Sequence, residues 1–279
     1  MSRAADPMTI TPPLALAEKE NLSGNSIAMD NEATTGALIV NADDWGRDPQ
    51  TTAKTLECIR TGSVSAVSAM VFMEDSKRAA VLSREWGVDV GLHLNLSAPL
   101  TAADCPAQLA EQHRRIASYL RFHPLARIFF HPGLRNAFQY VVEAQLEEFH
   151  RLYGAAPRRI DGHHHLHLCA NVQRSRLLPA GTIVRRNFSF QPGEKSFLNR
   201  YYRKRVDRRL ARRHRLVDFL FLLPPFEPTG RLQRIFALAR KFVVEVETHP
   251  VNPEEYRFLT RGGMVERPQG FPADIRQTS

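Results

Sequence analysis

The sequence predicts an α/β fold with a parallel sheet of about seven strands, closing toward a barrel. Three observations predict it. Short apolar runs recur along the chain, each bounded by polar residues, as strands covered on both faces require. Segments with helical periodicity separate those runs, the pattern of a parallel sheet with crossover helices. The chain has 279 residues and 43% hydrophobic content, enough for one core and close to the ~250 residues typical of an α/β barrel.

The elements follow in order. Residues Ala37–Asn41, reading ALIVN, make the first strand. Thr51–Arg60 reads as a helix that stops at Gly62. Val64–Met73 is the second strand, Ser76–Trp86 a helix and Val88–Leu96 the third strand. Phe138–Tyr153 is amphipathic, with Val141, Val142, Leu146, Phe149 and Leu152 on its apolar side. A short strand at Arg159–Asp161 leads into a histidine cluster. Thr182–Arg186, Asp218–Leu223 and Phe242–Thr248 supply the later strands. Phe219–Leu223 reads as core strand rather than interface, and formation of a homo-oligomer is left open.

Residues 1–36 differ from the rest. Pro7, Pro12, Pro13 and scattered Ser, Thr and Asn predict a disordered tail before a folded domain over 37–279. The one apolar cluster there, Leu14–Ala17, is too short for a signal-peptide core, so a cytoplasmic protein is expected. Three cysteines, Cys58, Cys105 and Cys169, exclude a disulfide scaffold and a cysteine zinc finger. No run approaches the ~18 apolar residues of a membrane span.

Lys and Arg exceed Asp and Glu by 38 to 29, a net charge of +9. Much of the excess lies between Arg200 and Arg215, where nine Lys/Arg accompany one acid, Asp207. This segment reads as a helix with sparse apolar positions at Val206, Leu210 and Leu216. A solvated helix face explains it, as does a site for an acidic polysaccharide or lipid. Nucleic acid is not expected as a partner, because no aromatic platform or DNA-binding motif accompanies the charge.

Polar constellations follow several strands. Asp43 and Asp44 sit together in Asn41-Ala42-Asp43-Asp44-Trp45-Gly46. One Asp at a strand end commonly caps the next helix, but two adjacent carboxylates there call for a partner or a cation. His93 and Asn95 alternate with leucines in Gly91–Leu96 and so share one strand face. Such a histidine is either a hydrogen-bonded core residue or a ligand. Four of the eleven histidines crowd into Asp161-Gly162-His163-His164-His165-Leu166-His167. On an extended segment His163, His165 and His167 would point one way and His164 the other. Flanking Ile160, Leu166 and Leu168 argue against a solvated histidine tract and for a metal site. His249, in Glu245–Pro250, ends the last strand, where a barrel exposes its functional rim. One carboxylate with two imidazoles makes a three-ligand divalent site, and a second carboxylate and a remote histidine complete a set for metal-assisted hydrolysis. No GxSxG, GxGxxG or P-loop occurs, so serine acyl transfer and nucleotide-cofactor chemistry have no support.

At NADDWG (41–46), GLHLNL (91–96), DGHHHLH (161–167) and THP (248–250) the chain resembles the YdjC-like carbohydrate deacetylases, which include chitooligosaccharide deacetylases. Order and spacing match over residues 37 to 255. The resemblance implies a deformed (β/α) barrel, a divalent metal (Mg²⁺ in most members, Zn²⁺ the alternative) and an N-acetylated carbohydrate substrate that loses acetate. It implies Asp44, His93 and His163 as metal ligands, Asp43 as general base and His249 as proton donor. It also places Arg185, with Arg186 the alternative, and His165 toward the substrate. The segment between Pro99 and Pro132 has no recognisable counterpart, nor does Cys169-Ala170-Asn171 after the histidines, where the family has proline. Two rival readings use the same residues. Two histidines and one carboxylate also form the facial triad of non-haem Fe(II) oxygenases, and a non-catalytic carbohydrate-binding protein would keep the pocket without turnover.

Overall fold

A computed structural model describes residues 36–123, 125–190, 193–223, 230–263, 269–270 and 272. The tail expected over 1–36 lies, but for Gly36, outside the described residues. The elements run β1 (Ala37–Trp45), α1 (Pro49–Arg60), β2 (Ala66–Ala69), α2 (Ser76–Glu85), β3 (Asp89–Leu94), α3 (Ala107–Phe122), α4 (Arg135–Tyr153), β4 (Arg159–Gly162), α5 (Ala170–Arg174), β5 (Ile183–Val184), α6 (Phe197–Ala211), β6 (Phe219–Leu222), α7 (Arg231–Ala239), β7 (Val243–Thr248) and α8 (Pro253–Thr260). Short 3-10 turns precede α4, at Pro132–Leu134, and α5, at His163–Leu168.

All seven strands are parallel, in the order β5-β4-β3-β2-β1-β7-β6. The two edges then meet. Ile183 of β5 bridges Arg215, just ahead of β6, and the Val184 amide donates to the Arg215 carbonyl at 2.9 Å. The sheet is therefore a deformed barrel, joined at one end by a bridge too short to count as a strand pair.

Alternation along each strand sorts side chains between two compartments. Leu38, Val40, Ala42, Val67, Leu92, Leu94, Ile160, Val184, Val244 and Val246 belong to the main core that the helices cover. Ala37, Ile39, Ala66, Ile183, Val217 and Val243 form a separate small cluster. Those six come from five places around the ring, so they plug the barrel at the start of its strands. Continuing by steps of two, the same inner face turns polar: Asn41 and Asp43 on β1, Ser68 on β2, Glu245 and Glu247 on β7, and Arg185 just past β5. All six are buried. Apolar below and charged above, the barrel interior directs its chemistry to the carboxyl ends of the strands.

Outside, α4 buries Phe138, Val141, Val142 and Phe149. Its Gln145 grips the end of β3 twice: the side-chain oxygen accepts from the Asn95 amide and the side-chain nitrogen donates to the Asn95 carbonyl, both at 2.8 Å. The Asn95 side chain also serves the backbone rather than a ligand, donating to the Ala98 carbonyl and accepting from the Ser97 and Ala98 amides. Helix α3 falls within the segment that sequence could not place. It carries His113, which is buried with its Nε2 unpartnered. Burial pushes this imidazole down to about 4, against a backbone hydrogen bond at Asn95. The depressed value makes the unfolded chain bind the extra proton. Stability is therefore full above pH 6.5 and is lost as the pH falls toward 4, by about 3 kcal/mol. We expect His113→Gln to remove that share of the acid sensitivity, as read from urea unfolding at pH 7 and pH 4.

Several strands are shorter than expected. β2 ends at Ala69 instead of reaching Met73, because the Met70 amide turns to the Trp45 carbonyl and Phe72 adopts a left-handed φ of 56°. β5 keeps two residues of the predicted five. In β6, Leu220 and Phe221 are buried as expected of core, while Leu222 is exposed.

Candidate metal and catalytic site

Neighbouring residues of a strand point to opposite faces, so Asp43 and Asp44 should not share a site. They do because β1 breaks its regularity. The register to β2 shifts between Ala42 and Trp45, and Asp44 takes a φ of 64°. A left-handed conformation costs a non-glycine residue about 1 kcal/mol, and such strain gathers at functional sites. Gly46 follows at φ 84°, where an L side chain would be strained.

The histidine cluster is bent in the same way. The expectation of an extended segment with His163, His165 and His167 on one face is not met. His164 and His165 both adopt φ of 56° within the 3-10 turn, which sends the four rings to four places. His163 Nδ1 lies 3.0 Å from Asp44 Oδ1. His164 Nδ1 is 3.2 Å from the Ser97 hydroxyl. His165 Nε2 is 3.1 Å from Glu247, with its ring against Phe188. His167 is buried, its Nε2 2.9 Å from the Arg185 carbonyl, and its side chain fills the space beside Gly162.

His93 comes from β3, directly across from Asp161 in the β3–β4 register. Its Nδ1 is 2.6 Å from Asp161 Oδ1, and Asp161 Oδ2 accepts from the Ser68 hydroxyl. That fixes the ring and turns Nε2 toward Asp44 Oδ1, 3.3 Å away. Burial opposes a charge on His93, but Asp43, Asp161 and Asp44 outweigh it and raise its pKa well above the usual imidazole range. For the Asp44 carboxyl, burial acts upward, yet His163 and His93 hold it far below the usual range. The point between these groups therefore favours a positive charge, whether proton or cation.

Among the described residues, three overlapping sets of side chains have ligand atoms close enough to share a cation: Asp44, His93 and His163; Asp43, His93 and Asp161; Asp43, Glu247 and His249. Hydrogen bonding separates them. In the latter two, Asp43 is already held by an arginine, and His93 Nδ1 is spent on Asp161. In the first, Arg47 donates to Asp44 Oδ2 at 3.1 Å, but Asp44 Oδ1 and His93 Nε2 are buried and neither makes a well-formed hydrogen bond, close as they stand to each other and to His163. Buried polar atoms rarely stay unsatisfied. The set Asp44, His93 and His163 is the one that fits a divalent ion, with Asp161 orienting one imidazole as carboxylates do for metal-bound histidines.

Arg185 does not face open solvent as a substrate contact would. It is buried, and its guanidinium reaches four carboxylates: Asp43 at 2.6 and 2.7 Å, Glu245 at 2.8 Å, and Asp161 and Glu247 at 3.1 Å. Asn41 Nδ2 adds a 2.8 Å bond to Asp43 Oδ1. Below them Arg159 is buried too, donating to Asn41 Oδ1 at 2.9 Å and to the Val67 carbonyl at 3.0 Å. Its guanidinium lies where a Cβ on residue 91 would stand, 2.6 Å from Nη1, so only glycine fits there. Asp43 Oδ2 is 3.9 Å from His93 Nδ1 and 4.0 Å from His249 Nε2. His249 is 32% exposed at the rim, and its backbone amide is held by Glu255 of α8. Together the site can bind a cation, take a proton at Asp43 and present one at His249. Sequence reasoning named Asp43, Asp44, His93, His163, Arg185, His165 and His249. It passed over Arg159, Ser68, Asp161, Glu245 and Glu247 as actors, although the period-two polar positions of β1 and β7 carry the signal.

The profile of the family described as YdjC-like protein matches residues 37–255. A carbohydrate deacetylase of Mus musculus is 32% identical over 145 residues, 48% of this chain and 44% of that protein. A chitooligosaccharide deacetylase of Serratia marcescens is 32% identical over 132 residues, 47% of this chain and 50% of that protein. The matches thus span about half the length of these curated relatives. A solved structure of a suggested cellobiose-phosphate cleavage protein from Enterococcus faecalis superposes with a TM-score of 0.56 at 17% identity, over 84% of this chain and 96% of that one. That likeness shows the fold.

Proposed function

This chain belongs to the YdjC-like family, and from that premise we propose that it is a metal-dependent hydrolase that removes N-acetyl groups from amino sugars. The observation that carries the reading is the buried pair Asp44 Oδ1 and His93 Nε2, neither with a well-formed hydrogen bond, beside His163. Asp44, His93 and His163 would hold the cation. When bound, a divalent cation polarises an amide carbonyl and acidifies water. Of the two metals that the resemblance implies, a donor set with two imidazoles suits Zn²⁺ better than Mg²⁺, which prefers oxygen.

Asp43 is the base. Arg185 and Asn41 fix both its oxygens, and Oδ2 keeps a lone-pair direction for the proton of an attacking water. Arg185 acts by positioning Asp43 rather than by touching the sugar. His249, at the mouth, is placed to protonate the departing amine. His164 is the more exposed histidine of the cluster but turns to Ser97; His165, partly exposed and 3.1 Å from Glu247, is the one we assign to the substrate. The oxygenase and binding-protein readings leave the Asp43–Arg185 pair and His249 without a task. No helix among the described residues is long and apolar enough to cross a membrane.

The test is acetate release from N-acetylated sugars, short chitin oligomers included, with Zn²⁺, with Mg²⁺ and with chelator. Metal-dependent acetate is expected. Metal-replete protein that releases none from any substrate, yet consumes oxygen with Fe(II), would transfer the site to the oxygenase reading. Asp44→Asn is expected to weaken metal affinity by at least about 100-fold, above the range typical of groups that only orient a ligand. Metal content after dialysis measures it.

A further inference from the structure

A second site stands apart from the carboxylate–imidazole cluster. A cleft of about 710 Å³ opens between α6, α5 and the segment after α3. Eight arginines line it, and no acidic residue or lysine does. They come from three separate stretches: Arg127 after α3, Arg174 and Arg176 at α5, and Arg205, Arg209 and Arg213 among those of α6 and its exit. Among the described residues no ion pair engages any of the eight. The one acid of the basic segment, Asp207, is turned away and buried against Arg186 and Asn187. Leu168, Val172 and Leu178 give the cleft an apolar part.

A solvated helix face would let its charges fan outward. Here three stretches of chain, at Arg127, at Arg174 and Arg176, and from Arg205 to Arg213, converge on one concavity, and each added guanidinium raises the repulsion on the others. Arginine alone, without lysine, supplies planar forks that match phosphate oxygens bidentately. We propose that this cleft binds a multiply charged phosphate group of the diphosphate class, borne by a less polar moiety. Its source is either a soluble diphosphate ester or a membrane headgroup. The site does not depend on the deacetylase reading.

The test is isothermal titration of the full chain with inorganic pyrophosphate at low salt, against chloride of equal ionic strength. Saturable pyrophosphate binding is expected, and it should persist in Asp44→Asn, where the metal site is disabled. Arg174→Gln/Arg209→Gln, which thins both walls, should weaken it at least about tenfold, the loss of one charge-assisted hydrogen bond or more. Lys204→Gln/Lys241→Gln removes equal charge outside the cleft and should change it less than twofold. Without ligand, the arginine pair should unfold at the wild-type temperature or above it, because repulsion is relieved. Sedimentation with phosphatidylcholine vesicles doped with a polyprenyl diphosphate, but not with phosphatidylcholine vesicles alone, reversed by pyrophosphate, would assign a headgroup. Pyrophosphate binding without vesicle binding would assign a soluble ligand. Binding no tighter than chloride, binding lost in Asp44→Asn, or equal loss in the two double variants would overturn the proposal.

Discussion

Asp43→Asn is expected to keep metal at the wild-type level and to lose about 10²- to 10⁴-fold in turnover, the usual worth of a positioned proton acceptor. The amide has nearly the shape of the carboxylate but cannot take a proton from water. The substitution also turns an NH₂ toward Arg185 or Asn41, both of which donate to Asp43 in the native site. Some of the loss therefore reflects a displaced side chain. Two readouts separate the effects. Metal content reports whether the neighbouring Asp44, His93 and His163 are intact. A pH–rate profile of the residual activity reports whether a titrating base is gone, since a merely displaced one would leave the acidic limb in place. Turnover above a tenth of wild type would assign the base elsewhere, with Glu247 the next carboxylate in reach of His249 through the shared set with Asp43.

The fold was legible wherever an apolar run met helical spacing, which is why all seven strands were anticipated and α3 was not. Its amphipathic stripe sits beside charged and polar residues that conceal a buried His113. The metal ligands were legible as residue types. Their geometry was not, because two left-handed histidines and a left-handed aspartate look like any others in sequence. Extended-strand logic would separate Asp43 from Asp44 and align His163 with His167. The backbone does the reverse at both places. The buried charge network was concealed for another reason. Glu245, Glu247 and Arg159 alternate with apolar residues, the pattern of a sheet with one wet face. In a closing barrel the same alternation points inward, so groups that look solvated are the most desolvated in the molecule.

That network yields the largest expected effect on stability. Arg185→Met should cost about 3–5 kcal/mol, the range for removing one partner of a buried ion pair. Five buried carboxylates, Asp43, Asp44, Asp161, Glu245 and Glu247, face two buried guanidinium groups, Arg159 and Arg185. Arg185 touches four of the five. Burial disfavours its charge, but Asp161, Asp43, Glu245 and Glu247 hold it protonated. In return, against the upward push of burial, it keeps the Glu247 carboxyl near 2. Burial already raises Glu245 despite the arginine. Arg185→Lys restores charge without the fork and should recover only part of the loss. The sign of the pH dependence distinguishes charge from packing. In the native protein Glu247 has a lowered pKa, so its stabilisation is present above about 4.5 and is lost as the pH falls toward 2. Without Arg185 the carboxylates stay desolvated and lose the cation they share, their folded pKa values rise above the unfolded ones, and protonation stabilises the variant. The gap between wild type and Arg185→Met should therefore narrow on acidification from pH 8 to pH 5. Urea unfolding across that range measures it. A gap that stayed constant would mean that the arginine contributes bulk to the barrel interior, and that Asp43 keeps its orientation by Asn41 alone.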